Sequence, residues 1–301
     1  MVWRSVMISR PARLRREHYS LAIEQEETAF IPFEDIAVIV LNHREITLTH
    51  PLLSACAEYG IVLFSTGDNH QPNGVFLPYL QHTRTARMLR LQLDIAKPAA
   101  KQAWAAIIRS KITNQARCLT LAKRDGARRL ESYVRRVRSG DPENCEASAS
   151  AHYFPQLFGV SFHRNQERWI NAALDYGYAV LRGTIARGLV AHGLLPSLGL
   201  FHASERNAFN LADDIIEPFR PIVDLHVVSQ PLIEERELLP ADKVALVALL
   251  NIDVTMPRGA TSVLTAIEQC IESFVRFYEG AAVETLELPL LAGLRQHIRE
   301  H

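Results

Sequence analysis

The chain has little of what would place it in a membrane or an oxidising compartment. Its four cysteines, Cys56, Cys118, Cys145 and Cys270, lie far apart and form no CxxC pair. That excludes a zinc ribbon or a disulfide-stapled scaffold and fits a reducing, cytoplasmic setting. No apolar run reaches the ~18 residues a membrane span needs. The opening MVWRSVMISRPARLRR carries too short an apolar stretch for a secretory signal. The C-terminal third has no glycine-rich phosphate loop, no GxSxG and no Walker sequence. The commonest nucleotide and acyl-transfer sites are therefore absent there. Net charge is lacking too, with 33 Lys+Arg against 33 Asp+Glu.

What is present is apolar residue and segregated charge. With 301 residues, 48% hydrophobic and 22% charged, the chain is expected to fold as a soluble globule of two domains or one large one. The zero net charge hides an asymmetry. Between Arg84 and Arg138 there are 15 Lys+Arg and 3 acids, a local excess of +12 that the remainder must balance. A basic stretch inside a neutral protein points to a polyanion; a solvated helix surface is the bland reading.

Residues 1–80 read as β. The runs SVMIS, HYSLAIEQ, AFIPF, IAVIVLN, ITLT and GIVLFST are short and rich in Ile, Val, Leu and Thr. PLLSACAEYG (51–60) reads as a short helix closed by Gly60. GDNHQPNG (67–74) reads as a loop. From Pro78 onward apolar residues recur at three- and four-residue spacing, which predicts helices through 86–97, 101–139, 168–193, 240–253 and 261–280, with a break at Asp141-Pro142 and a helix-compatible run EASASAH at 146–152. The expected architecture is α+β: a small N-terminal β-rich domain, residues 1–77, followed by a larger all-α domain, residues 78–301.

Three side chains stand out as potential ligands: Glu146, His202 and Glu217. One imidazole and two carboxylates suit Mg²⁺ or Mn²⁺ if the fold gathers them. Glu217 lies in a run with Asp213 and Asp214, and like charges so spaced repel unless a cation or a basic partner neutralises them. Pro218 pushes Glu217 out of regular helix, to a helix end or kink. The bland readings are a surface glutamate, a boundary histidine and an acidic helix face paired to Arg206 or Arg220. Cys145, beside Glu146, is read as a buried thiol or a soft ligand. Tyr153 and Tyr176 are read as core residues in preference to base-stacking ones.

Several segments, in order, carry a family resemblance. They are Glu146-Ala147 through Tyr153-Phe154, NAALDYGY (171–178), LGLFH (198–202), and NLADD (210–214) through EPFRP (217–221) with Asp224. Together they resemble the CRISPR-associated spacer integrases of the Cas1 family over nearly the whole length. The resemblance implies a metal-dependent DNA endonuclease or integrase with Mg²⁺ or Mn²⁺ held by Glu146, His202 and Glu217 and supported by Asp214. It also implies a homodimer formed through the β-rich domain and a small companion Cas protein. The partners would be double-stranded DNA with 3′-OH ends and CRISPR repeat DNA. Two departures stand out: Ala147 where many relatives have glycine, and Glu217 where many have aspartate.

Relatives join a DNA 3′-hydroxyl to a phosphodiester by transesterification; with water as nucleophile the same groups would cut. Arg84, Arg87 and Arg90, at three-residue spacing, and Arg164, Arg168 and Arg220 are candidate phosphate contacts. Two alternatives remain at this stage: a structure-selective nuclease of branched DNA acting in repair, and a non-catalytic DNA-binding scaffold.

Overall fold

The computed structural model describes residues 4–68, 71–78, 84–164, 166, 168–231 and 237–297. The first part holds strands β1 (Arg4–Ile8), β2 (Ala12–Glu17), β3 (Ser20–Glu24), β4 (Thr28–Pro32), β5 (Ile36–Leu41) and β6 (Ile46–Leu48). Helix α1 (His50–Glu58) and strands β7 (Val62–Thr66) and β8 (Pro72–Phe76) follow. They form two four-stranded sheets, ordered β1-β5-β7-β8 and β4-β3-β2-β6. In the first, β1, β5 and β7 run parallel and β8 turns back antiparallel to β7.

Strand β5, IAVIVL, is apolar throughout because both of its faces are covered. Ile39, with Ile61 and Leu63, joins a core shared with β2, β3 and α1. Val38, Val40, Val62 and Phe64 point the other way, into the core of the helical part. The sheet is thus the layer that the two parts share. Gly60, at φ 65°, takes the left-handed conformation that ends α1.

The second part comprises α2 (Thr85–Leu93), α3 (Lys97–Leu121), α4 (Ala127–Arg136), α5 (Cys145–Phe158), α6 (Trp169–Ala191), α7 (Asn210–Ile215), α8 (Arg220–Val228) and α9 (Pro240–Ala248). Strands β9 (Ile252–Met256) and β10 (Gly259–Ser262), helix α10 (Val263–Tyr278) and strand β11 (Leu290–Gln296) complete it. A β-rich region followed by a helical one is the architecture expected from the sequence. To the expected helices the structure adds a three-stranded antiparallel sheet, β10-β9-β11. Two further strands differ from the sequence reading. β2 was not expected, and β8 occupies part of the expected 67–74 loop, of which Asn69 and His70 lie outside the described residues. Residues 79–83, where the helical pattern was expected to begin, lie outside them as well.

Helices α3 and α6 run through the large core. Trp104, Ile107, Ile108 and Ile112 of α3 are buried, and so are Tyr176, Leu181 and Ile185 of α6. Helix α6 lies so close to its neighbours that a Cβ on Gly183 would meet the Phe64 ring at 2.2 Å and one on Gly177 would meet Val223 at 2.5 Å. Among the described residues, no helix is long and apolar enough to cross a membrane.

Candidate metal centre and its surroundings

Glu146 sits in the first turn of α5, held there by the preceding turn. Asp141 accepts hydrogen bonds from the backbone N–H groups of Cys145 and Glu146, both at 2.9 Å, satisfying donors that a helix start leaves unpaired. Cys145 itself is buried, and burial pushes its thiol pKa up, so it stays a neutral core thiol. Glu217 follows the end of α7, in the turn before α8 that Pro218 favours.

The two carboxylates meet at a residue that sequence reasoning missed. Lys111 Nζ lies 2.5 Å from Glu146 Oε1 and 2.5 Å from Glu217 Oε2. The two carboxylate oxygens can therefore be no further apart than these contacts laid end to end. Lys111 is only 7% exposed and Glu217 5%. Arg220 Nε adds a second cation, donating to Glu217 Oε1 at 2.9 Å. Burial alone would raise the Glu217 pKa, but the charges of Lys111 and Arg220 outweigh it and hold it at about 2. Burial opposes the Lys111 charge in the same way, and the two glutamates overcome it, so its pKa is raised.

His202 lies in the segment between α6 and α7, and Asp214 organises that segment. Asp214 is fully buried and accepts N–H bonds from Leu200 at 2.6 Å, Phe201 at 3.1 Å and His202 at 3.2 Å. It also accepts a hydrogen bond from His202 Nδ1–H at 2.7 Å. That bond raises the imidazole pKa, against partial desolvation and with a further contribution from the charge of Glu217. It also fixes the tautomer, leaving Nε2 as the ring nitrogen available to a ligand. The tight wrap explains Gly199, where a Cβ would fall 2.2 Å from the His202 carbonyl oxygen. Gln92 of α2 braces the same segment, accepting from Leu195 N–H at 2.9 Å and donating to Leu195 O at 3.2 Å. The His202 ring stands edge-on to Trp104 and Phe201, which stack on each other with centroids 4.1 Å apart.

Two of the six candidate arginines flank this centre. Arg164 and Arg220 both lie over the Tyr178 ring, at 5.6 and 4.6 Å, and line a cavity of about 200 Å³. Arg182, which sequence reasoning did not single out, lines it too and lies 3.9 Å from Asp213. Arg84, Arg87 and Arg90 belong to α2 or its N-cap, with Arg87 paired to Glu279 at 3.0 Å, and Arg168 is exposed just before α6. Tyr153 and Tyr178 donate to the buried Asp224. Burial lifts the Asp224 pKa to about 6 even though these hydroxyls favour its charged form. Tyr153 and Tyr176 are fully buried core residues.

Among the described residues, no three His, Cys, Asp or Glu side chains stand close enough to chelate an ion as placed. The chemistry of the donor set nevertheless fits a divalent cation. A positive group already sits between Glu146 and Glu217, and Glu217 Oε2 is buried without a hydrogen bond of good angle among the described residues. An ammonium hydrogen-bonded to Glu146 and paired with Glu217 marks a place that favours a cation.

The sequence pattern of the family described as CRISPR associated protein Cas1 matches residues 6–243. The CRISPR-associated endonuclease Cas1 of Neisseria meningitidis serogroup C (strain 8013) is 43% identical over 302 aligned residues, covering 99% of each chain. A casposase bound to its integration product superimposes with TM-score 0.73 at 16% identity, covering 92% of this chain and 90% of that one. A CAS1 protein from Thermotoga maritima does so with TM-score 0.69 at 18% identity, covering 92% and 97%. Matched along most of its length by the family's pattern and end to end by a relative, the chain belongs to the CRISPR-associated Cas1 family.

Proposed function

We propose that the protein is a DNA endonuclease and integrase of CRISPR adaptation, joining the 3′-OH of a short duplex to a phosphodiester of repeat DNA. The observation that carries this reading is the convergence of Glu146 and Glu217 on one buried ammonium. The full-length likeness to a relative named as an endonuclease supports it. Glu146, Glu217 Oε2 and His202 Nε2 would hold Mg²⁺ or Mn²⁺. When bound, the ion would neutralise charge developing on the phosphodiester and favour ionisation of the attacking hydroxyl.

The chain's own groups do the rest. Asp214 aims the imidazole and keeps its proton on Nδ1. Arg220 and Arg164, stacked over Tyr178, would offer guanidinium N–H groups to phosphate oxygens. Arg84, Arg87, Arg90 and Arg168 would contact backbone further along the duplex. Their contribution is sequence-independent and falls with salt. Residues 1–77 would form the dimer contact and residues 78–301 the catalytic unit, with a small companion Cas protein bridging two dimers.

The test is strand transfer of a 3′-OH duplex into supercoiled plasmid carrying a repeat, with Mn²⁺ or Mg²⁺. The wild type is expected to give half-site products and His202→Ala none. Joining that survives both His202→Ala and Glu146→Ala would overturn the assignment. Nicks in branched DNA without joined products would favour the repair nuclease.

A further inference from the structure

Phe201 is a large apolar ring left in water beside the proposed reaction centre. It is 52% exposed, whereas Trp104 beneath it is 2% exposed. The two ring planes are parallel to within 3° and their centroids 4.1 Å apart, so Trp104 covers one face of Phe201 and the exposure falls on the other. The ring is not free to fold away. Its backbone N–H and those of both neighbours end on Asp214, and the His202 ring abuts its edge at 5.7 Å. A fixed, half-exposed aromatic face costs solvation in the free protein and loses little entropy when something covers it.

We propose that Phe201, backed by Trp104, is a stacking platform for an unpaired nucleobase of the DNA strand whose phosphate or 3′ end reaches His202. This inference rests on the function proposed above and adds a binding residue to it. The ring lies one side chain away from the imidazole that faces the reacting group, within the span of a single nucleotide. Every base has a π-face, so the platform accepts any sequence. Its contribution is apolar, so it does not share the salt dependence of the arginines.

The experiment uses a duplex with a short unpaired 3′ tail carrying 2-aminopurine at each tail position in turn, with EDTA present so that no bond is made or broken. Wild type and Phe201→Trp are expected to quench the probe at one position upon binding, and Phe201→Leu to lose that quench. The Phe201→Leu variant should bind the tailed duplex from about fivefold to about a hundredfold more weakly. Its slope of log Kd against log salt should match that of the wild type. The proposal is overturned if wild type binds the tail without quenching any position, or if Phe201→Leu quenches as the wild type does. It is also overturned if Phe201→Leu keeps the quench and loses self-association, which would make the ring a protein contact. A wild type that joins no DNA and binds none would sink the functional reading itself, a separate outcome. Melting curves of both variants, with Phe201→Trp as the conservative control, separate a lost platform from a lost fold.

Discussion

Replacing Lys111 by methionine keeps the apolar stem of the side chain and removes the charge that joins Glu146 to Glu217. Glu217 is held at about 2 against an ordinary value of 4.5. At 1.36 kcal/mol per pKa unit that difference is about 3 kcal/mol, supplied by Lys111 and Arg220 together. After Lys111→Met, Glu146 can hydrate because its side chain is 31% exposed, but Glu217 keeps only Arg220. A buried charge stripped of one partner is expensive, and we expect a loss of about 2 kcal/mol in EDTA. For a chain of this size that lowers the Tm by roughly 3 °C. Divalent binding should move the other way. In the wild type an incoming ion must displace the ammonium from both carboxylates; in the variant it meets them uncompensated. If half of the lost energy is recovered, Mn²⁺ affinity rises about fivefold, and the Tm gain on adding Mn²⁺ is larger than in the wild type. Scanning calorimetry with and without Mn²⁺, and titration calorimetry, read both quantities. A Lys111→Met protein that melts with the wild type in EDTA, or binds Mn²⁺ more weakly, refutes the idea that this lysine stands where a cation belongs.

Other expectations concern the supports of the site. Because the folded pKa of Glu217 is depressed, its stabilisation is complete above about pH 4.5 and fades as pH falls toward 2. Glu217→Gln should therefore lose the corresponding part of the acid unfolding limb, read by denaturant titration across that range. Asp224 has the opposite sign. Its folded pKa is raised from 3.8 to about 6. The wild type therefore loses stability relative to Asp224→Asn as pH rises through that window, by up to about 3 kcal/mol, and no further above it. Equal pH profiles for the two proteins would contradict this. Gly199→Ala forces the His202 carbonyl away from a Cβ at 2.2 Å. We expect a cost of about 1–3 kcal/mol, with a loss of joining larger than the loss of Tm alone explains.

The meeting of Glu146 with Glu217, which the structure places at Lys111, was foreshadowed in the sequence, whereas His202 does not close on them to form a three-ligand cluster among the described residues. Glu146, His202 and Glu217 stood in separate motifs, and Pro218 already argued that Glu217 leaves the helix. Lys111 was not found, although it left a trace. It falls on the stripe of α3 that contains Trp104, Ile107, Ile108, Gln115 and Cys118, all buried. A lysine at a core position of an amphipathic helix calls for a buried partner. Counting it among the surface cations of a basic segment hid that signal. Arg182 was hidden for a different reason, since only the packing of α6 beside α7 brings it to the cavity of Arg164 and Arg220. The strands β9 and β11 pair across more than thirty residues of helix and turn, so no local pattern announces them. β8 opens with Pro72-Asn73-Gly74, which read as a turn until β7 supplies its partner.

The sheet that both cores share has a consequence for handling the protein. Phe64 fills the gap left by Gly183, and Arg187 reaches back to the carbonyl of Gly60. A fragment starting after Phe76 would bare an oily flank of α6 and remove the Gly60 acceptor from the buried Arg187, leaving it Glu268. Such a fragment should precipitate, and the intact chain should melt in one cooperative step. The β-rich portion is therefore a foundation for the helical part.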